Sequence, residues 1–269
     1  MNRTFNKGIF FTTLLVLCAF TCVQAQESKP VKLPDPNRKG GLSIMESFAK
    51  RASSRSWADK ELSSQDLSNL LWAANGINRP ESKKRTAPSA LNSQDVEIYV
   101  IMKSGAYLYD AAYNALNPVA SGDHRAEVSS MPRTARPSSG ASGTPGSAPA
   151  GAPGNAPGGA AAGSSAASAG GPSGPPGGGA EGQSTQAASL ILVSDKAKFS
   201  MGNGDTKKEL GIIDAAIVSE NIALFCAGNG LATVPRYGIN KDSLKTLLKL
   251  SDTQFIVMEN AVGYPAEEK

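Results

Sequence analysis

The chain reads as one α+β domain, and three observations carry that reading. A near-continuous apolar, β-branched run, Val96 to Met102, turns at Ser104-Gly105 into Ala106-Tyr107-Leu108-Tyr109 and so predicts a hairpin. A long stretch from about Leu210 to Ala227, apolar on most faces and stopped by Gly228-Asn229-Gly230, predicts a central helix buried against several neighbours. Between them, residues 137–187 contain no Val, Ile, Leu, Met, Phe, Tyr or Trp and one charge, Glu181, so this stretch has too little to bury to offset its ordering entropy and reads as a disordered Gly/Ala/Pro/Ser-rich spacer. A collagen-like reading fails, because glycine does not recur at every third position.

Residues 1–25 read as a secretory signal peptide. Arg3 and Lys7 precede the apolar run Ile9 to Phe20, and Val23-Gln24-Ala25 offers a small-residue cleavage site. The run is shorter than the roughly 20 residues that span a bilayer. Leu17 and Thr21 fit poorly before a lipidated Cys18 or Cys22, so lipidation is a minor alternative. The expectation is an exported protein, periplasmic or extracellular, with no transmembrane segment after cleavage. Removing Arg3 and Lys7 lowers the net charge from +4 to +2, and the basic residues are scattered, which speaks against a nucleic-acid partner. Cys226 is the one cysteine left after cleavage. No intramolecular disulfide can form, and within an apolar run it reads as a core residue, not a nucleophile.

Removing residues 1–25 and 137–187 leaves 193 residues, enough for one sizeable core, so 26–136 and 188–269 are expected to fold together. Ser43-Ile44-Met45-Glu46 is a capping-box pattern that starts a short helix reaching the Arg51 region. Ser63-Ser64-Gln65-Asp66 starts a second, with Leu67, Leu70, Leu71 and Ala74 at helical spacing, ending at Asn75-Gly76 through a left-handed glycine cap. Ser189-Leu190-Ile191-Leu192-Val193 reads as a buried strand. Phe255 to Met258 and Ala261 to Tyr264 read as a last strand interrupted by Glu259-Asn260. Gly202-Asn203-Gly204-Asp205 reads as a turn, lacking the context of a dinucleotide-binding loop. Tyr107, Tyr109 and Tyr113 read as cross-strand packing. His124 is the single histidine; it reads as a loop residue near Asp123, and it leaves no histidine triad or zinc cluster to build.

Two polar cassettes bracket the second helix. Arg51-Ala52-Ser53-Ser54-Arg55 offers two guanidinium forks and two hydroxyls, which suits a phosphate. Arg85-Thr86-Ala87-Pro88-Ser89-Ala90-Leu91-Asn92-Ser93-Gln94 offers amides that both donate and accept, which suits the uracil-like edge of an isoalloxazine ring. Together they look like a site for flavin mononucleotide, FMN.

These residues resemble the nitroreductase family of flavoproteins, and within it the branch of the azoline dehydrogenases of peptide-toxin biosynthesis. Arg51 to Trp57 is similar to the family's Arg-Arg-Ser-x-Arg-x-Phe, Leu70-Leu71-Trp72-Ala73-Ala74-Asn75-Gly76-Ile77 is typical of that branch, and Arg85 to Gln94 is like its Pro-Ser-x-x-Asn-x-Gln segment. Gly122 to Arg125 and Gly230 to Pro235 look similar too. The resemblance implies an α+β fold with a central mixed or antiparallel sheet flanked by helices, usually a homodimer with one FMN at each end of the interface. By position, Arg51, Ser53 and Arg55 would hold the phosphate and the N1–C2 side of the ring, Pro88, Ser89, Asn92 and Gln94 would line the ring, and Pro235, Arg236, Tyr237 and Gly238 would cover its other face near N5. It implies an FMN-dependent oxidoreductase in which the flavin, and no catalytic side chain, carries the chemistry, with NAD(P)H as a donor and a nitroaromatic, quinone or azoline-like acceptor. Ala52 departs from the pattern by standing where a second basic residue is usual. With the export signal and the spacer, it motivates the alternative of a non-catalytic exported interaction module on the same fold.

Overall fold

The computed structural model describes residues 29–129 and 186–267. The expected signal peptide and residues 137–185 of the expected spacer lie outside the described residues. Gln186 and Ala187, assigned to the spacer, are buried: Gln186 Nε2 donates to Ser189 Oγ at 2.9 Å and its carbonyl accepts from Arg125 Nη1.

A seven-stranded sheet organises the described residues, in the order β1-β6-β5-β4-β7-β9-β8, with every neighbouring pair antiparallel. The strands are β1 (Val31–Lys32), β4 (Val96–Met102), β5 (Gly105–Asp110), β6 (Ala115–Ser121), β7 (Ala188–Asp195), β8 (Ala232–Arg236) and β9 (Gln254–Gly263); β2 (Ile77–Arg79) and β3 (Lys84–Arg85) form a separate small ribbon. The helices are α1 (Ile44–Lys50), α2 (Ser64–Asn75), α3 (Arg125–Ser129), α4 (Gly204–Gly228) and α5 (Lys241–Leu247). The fold is α+β, as expected, and β4 pairs with β7, so the two halves of the sequence build one sheet.

Strand period places Ile98, Val100, Leu190 and Leu192 on one face, where Leu67, Leu70, Leu71 and Ala74 of α2 and Ala215, Val218, Ile222 and Cys226 of α4 cover them. Tyr99, Ile101, Ile191 and Val193 face the other way, onto Val128, Ile239, Leu244 and Leu248 around α3 and α5. α4 is long and apolar enough to cross a membrane by composition, yet it is the helix packed against α1, α2 and four strands.

Several elements differ from expectation. Gly76 ends α2 in an extended conformation, φ −74° and ψ 166°. Glycine is needed there because a Cβ would lie 2.5 Å from Trp72 Cδ1. The expected turn at Gly202 to Asp205 is the start of α4, where the Asn203 side chain caps by accepting from Thr206 N–H at 2.9 Å. β9 runs unbroken through Glu259 and Asn260, both fully buried. Tyr107 and Tyr109 pair across to Pro118 and Leu116, whereas Tyr113 is exposed on the following turn. His124 sits between Glu127 Oε1 and the Ser121 carbonyl, beside the Asp123–Arg125 ion pair. Cys226 is buried, and burial pushes its thiol ionisation far up, which suits a core role.

Candidate functional site

The first cassette follows α1, whose start is fixed by reciprocal bonds between Ser43 and Glu46. After Arg51 the chain runs along the outer edge of β8: Ser53 bridges Thr233 in parallel, and Ser54 N–H donates to the Thr233 carbonyl at 2.9 Å. Trp57 then buries its ring among Ala232, Val234 and Ala261. The backbone is thus held at both ends. Arg51, Ser53 and Arg55 stay exposed, and the two guanidinium groups have no hydrogen-bond or ion-pair partner among the described residues.

β8 leads into the expected ring-covering segment, so the structure brings Pro235, Arg236, Tyr237 and Gly238 to the same edge as the first cassette. The Arg236 guanidinium lies 5.3 Å from the centre of the Trp57 ring, and its Nη1 is 3.7 Å from buried Glu259. Tyr237 is exposed, with Lys241 Nζ 3.7 Å from its ring centre.

The second cassette is a strained turn between β3 and β4. Leu91, Asn92 and Gln94 all have positive φ, at 56°, 53° and 49°, a region that is tolerated in Asn and unfavourable for Leu and Gln. Three tethers hold it. Ala90 N–H donates to both carboxylate oxygens of Asp214 on α4, Gln94 N–H donates to Ser89 Oγ at 2.9 Å, and Arg85 Nε donates to Gln94 Oε1 at 3.0 Å. Gln94 Nε2 also donates to the Lys83 carbonyl. The Gln94 amide, expected at a ring edge, is therefore turned into its own chain at both ends. Pro88 and Asn92 are exposed, and Ser89 is partly so.

Beneath this turn lie residues that the sequence reading passed over. Asp214 is buried, and burial together with a hydrogen bond to Asp95 pushes its carboxyl up to about 6. Asp95, fully buried, accepts from Ser93 Oγ at 2.9 Å and from Ser194 Oγ at 2.6 Å. A signal existed: Asp214 is the one charge between Leu210 and Ser219 in an otherwise apolar helix. Arg85, expected in a ligand cassette, is half-buried with its Nη1 on the Asn75 carbonyl and braces the turn through Gln94.

The two cassettes do not meet within the chain. Leu42, just before α1, donates its N–H to the Gly228 carbonyl at the C-terminal end of α4, while the second cassette bonds Asp214 near the middle of that helix. Fourteen helical residues separate these anchors, about 21 Å at 1.5 Å per residue. Exposed apolar residues stand near each anchor, Ile44, Met45 and Phe48 near the first and Leu91, Ile212 and Ile213 near the second. Two clefts of about 290 and 420 Å³ open beside Arg85 and Trp72, and neither is lined by residues 51–55 or 235–238.

Residues 48–264 match the Nitroreductase family. Among solved structures, a Ralstonia eutropha JMP134 protein named as a nitroreductase is 21% identical, with a TM-score of 0.65 over 90% of this chain and 92% of that one. An Anabaena variabilis ATCC 29413 protein, also named as a nitroreductase, is 14% identical, with a TM-score of 0.58 over 88% of this chain and 42% of that one. The E. coli microcin synthetase McbBCD complex with truncated pro-MccB17 bound contains a chain 14% identical, with a TM-score of 0.57 over 98% of this chain and 85% of that one. At these identities the likeness is one of fold. No curated protein matches the chain.

Proposed function

Since the chain belongs to the nitroreductase family, a family of flavin oxidoreductases, we propose that it is an FMN-dependent enzyme moving two electrons from a reduced donor, NAD(P)H by family habit, to a small organic acceptor. One observation carries the reading furthest: Arg51 and Arg55 stand exposed and uncommitted on a backbone pinned to β8. Guanidinium forks kept free of internal carboxylates fit a phosphate. Ser53 adds a hydroxyl between them.

When bound, the flavin supplies the redox chemistry, and the protein orients it and excludes water. Arg51, Ser53 and Arg55 hold the phosphate and the N1–C2 side, where positive charge offsets the charge of the reduced ring. Backbone N–H groups of Arg236 to Gly238, in a segment that begins at Pro235 and is steadied by Arg236 against Trp57 and Glu259, would cover the ring near N5. Pro88, Ser89 and Asn92 line the ring, and Gln94 contributes by fixing the turn through Arg85 and Lys83. Because the α4 anchors near the two cassettes, Gly228 and Asp214, are about 21 Å apart along the helix, a homodimer that apposes the first cassette of one copy with the second of the other would complete each site. The exposed apolar residues flanking both cassettes are the surface such a contact would cover. Export to the periplasm or beyond remains part of the proposal and rests on residues 1–25.

The test is an FMN titration of residues 26–269, followed by anaerobic reduction. Retained flavin that bleaches on adding a reductant supports the enzyme; folded protein that retains none favours the non-catalytic module suggested by Ala52. Arg51→Ala with Arg55→Ala should weaken FMN binding on the order of 100-fold or more, from two charged hydrogen-bonding groups worth about 1.5–3 kcal/mol each. Unchanged affinity would sink the site assignment.

A further inference from the structure

We propose that Glu259 is a positioning residue: through Arg236 it locks the ring-covering segment to Trp57, and so presets the spacing between the two segments gathered at the β8 edge, the phosphate-holding cassette and the cover near N5. What those segments hold rests on the function proposed above; the lock itself does not.

Strand register builds the lock. Arg236, at the end of β8, pairs directly with Glu259 on β9, and Val234 pairs with Ala261 beside it. Side chains two apart on a strand share a face, so Ala232, Val234, Arg236, Glu259 and Ala261 stand together on one side of the sheet. Trp57 lies on that side, packed with Ala232, Val234 and Ala261. Its backbone bridges Pro265, and Gly263 makes room for its ring, since a Cβ there would come within 2.7 Å of Trp57 Cδ1. The Arg236 guanidinium is thereby set between the Trp57 ring, 5.3 Å from its centre, and the Glu259 carboxylate, with Nη1 3.7 Å from Oε2.

Packing alone does not call for a carboxylate here. Glu259 is fully buried, neither of its oxygens has a hydrogen-bond partner among the described residues, and Arg236 is the cation paired with it. Its neighbours on that face are Ala261, Val234 and its partner on β7, Ile191, among which an apolar side chain would sit without electrostatic cost. A buried carboxylate deprived of its cation is heavily penalised, so Glu259 constrains Arg236 far more strongly than an exposed pair would. Ser189, whose Oγ already accepts from Gln186 Nε2 at 2.9 Å, stands beside Glu259 and favours its ionised form.

The two partners of the lock belong to different segments. Trp57 closes the first cassette, whose Ser54 N–H is bonded to the Thr233 carbonyl at 2.9 Å. Arg236 opens the cover, where Ile239 N–H donates to the Tyr237 carbonyl at 3.0 Å. A molecule reaching from cassette to cover therefore meets two segments whose relative position is already set, and preset contacts cost less ordering on binding.

The experiment follows amide hydrogen exchange at Ile239 in the flavin-free chain at pH 8, with Leu42, bonded to the Gly228 carbonyl, as the remote reference. Trp57 emission is recorded in a Trp72→Phe background, which leaves Trp57 as the single tryptophan. Glu259→Gln should speed exchange at Ile239 by about tenfold or more, the size of one charged pairing, leave Leu42 unchanged and shift the Trp57 emission. Arg236→Gln strands the buried charge and should loosen the segment further, and adding Glu259→Gln to it should restore part of the loss, because the stranded charge is then gone. Unchanged Ile239 exchange in Glu259→Gln, unmoved Trp57 emission, or effects of the two substitutions that simply add would overturn the lock; the Glu259→Gln readings decide even if Arg236→Gln fails to fold. FMN binding is read separately, and Glu259→Gln should weaken it by about tenfold. A segment that loosens in a chain binding no FMN removes the flavin reading and leaves the lock, whereas unchanged FMN affinity over a loosened segment removes the positioning role.

Discussion

Gly211→Ala is the substitution whose sign the structure decides against general expectation. Alanine in place of glycine inside a helix ordinarily stabilises by about 1 kcal/mol. At this position the added Cβ would lie 2.1 Å from Ser194 Oγ, 2.8 Å from Ser194 Cβ and 3.1 Å from Phe255 Cζ. Ser194 is fully buried and its hydroxyl donates to Asp95 at 2.6 Å, so it cannot rotate away without stranding a buried carboxyl oxygen. Overpacking costs about 1–3 kcal/mol, and the stranded acceptor about 1–3 more. Set against the helix gain, the net loss is about 1–5 kcal/mol. Urea unfolding of Gly211→Ala beside Gly204→Ala measures it, because Gly204 is on the same helix with nothing within 4 Å of a new Cβ and should change by less than about 1 kcal/mol. In a Ser194→Ala background, where the hydroxyl is gone, the Gly211→Ala penalty should shrink by about 1 kcal/mol or more. A Gly211→Ala protein as stable as the wild type, or a penalty indifferent to Ser194, refutes the close-approach argument.

Three further outcomes are expected. Asp214 has a folded ionisation near 6 against 3.8 for the ordinary group, so its protonated form is favoured by folding: stability is full below pH 3.8, falls by about 3 kcal/mol as pH rises to 6, and levels off beyond. Asp214→Asn should flatten that slope in urea midpoints taken from pH 4 to 8, and an unchanged slope contradicts the burial of the Asp214 carboxyl. Glu259 has a fully buried carboxyl whose ionisation burial pushes up, with Ser189 and Arg236 beside it. The sign is the same, so Glu259→Gln should gain on the wild type as pH rises from 4 to 8, and a relative loss would mean that the Arg236 pairing outweighs desolvation. Leu71→Ala, at a fully buried position between α2 and the sheet, should lower stability by about 2–5 kcal/mol in the same assay, and a loss below about 1 kcal/mol would mean that the site is not packed as described.

Local signals in the chain were strong where one period or one cap determines an element. Val96 to Met102, the Ser43 capping box and the apolar 210–227 stretch each appear where those rules place them. β6, β8 and α5 were not legible: β6 contains Pro118 and Asn117, β8 contains Pro235, and α5 has seven residues, so their pairing and packing partners, not their own periodicity, define them. Glu259-Asn260 reads as a break because two polar residues in a strand carry no local sign of burial on both faces. At the candidate site the sequence names residues and leaves their arrangement open. The cassettes bracket α2, and twelve residues of helix already hold its ends about 18 Å apart, so nearness in sequence could not mean nearness in space.

The turn itself shows why its tethers matter. Three residues in the left-handed region cost about 1–2 kcal/mol each, less for Asn92. Against this stand one hydrogen bond to a carboxyl group, one from a guanidinium and one neutral, worth about 0.5–3 kcal/mol each. The two totals are of similar size, so the tethers offset much of the strain, with Gln94 Nε2 on the Lys83 carbonyl and the Asn92 and Ser93 N–H groups on the Ser89 and Ala90 carbonyls adding to them. A turn held by such tethers responds to a change at one anchor, and the anchor that can change near neutral pH is Asp214, whose bond from the Ala90 N–H strengthens when it ionises. Ser89 Oγ and Arg85 Nε hold the far side, and neither partner titrates in that range. The pH response of the site therefore belongs at its Ala90 end, and the Gln94 end should follow only through the backbone between them.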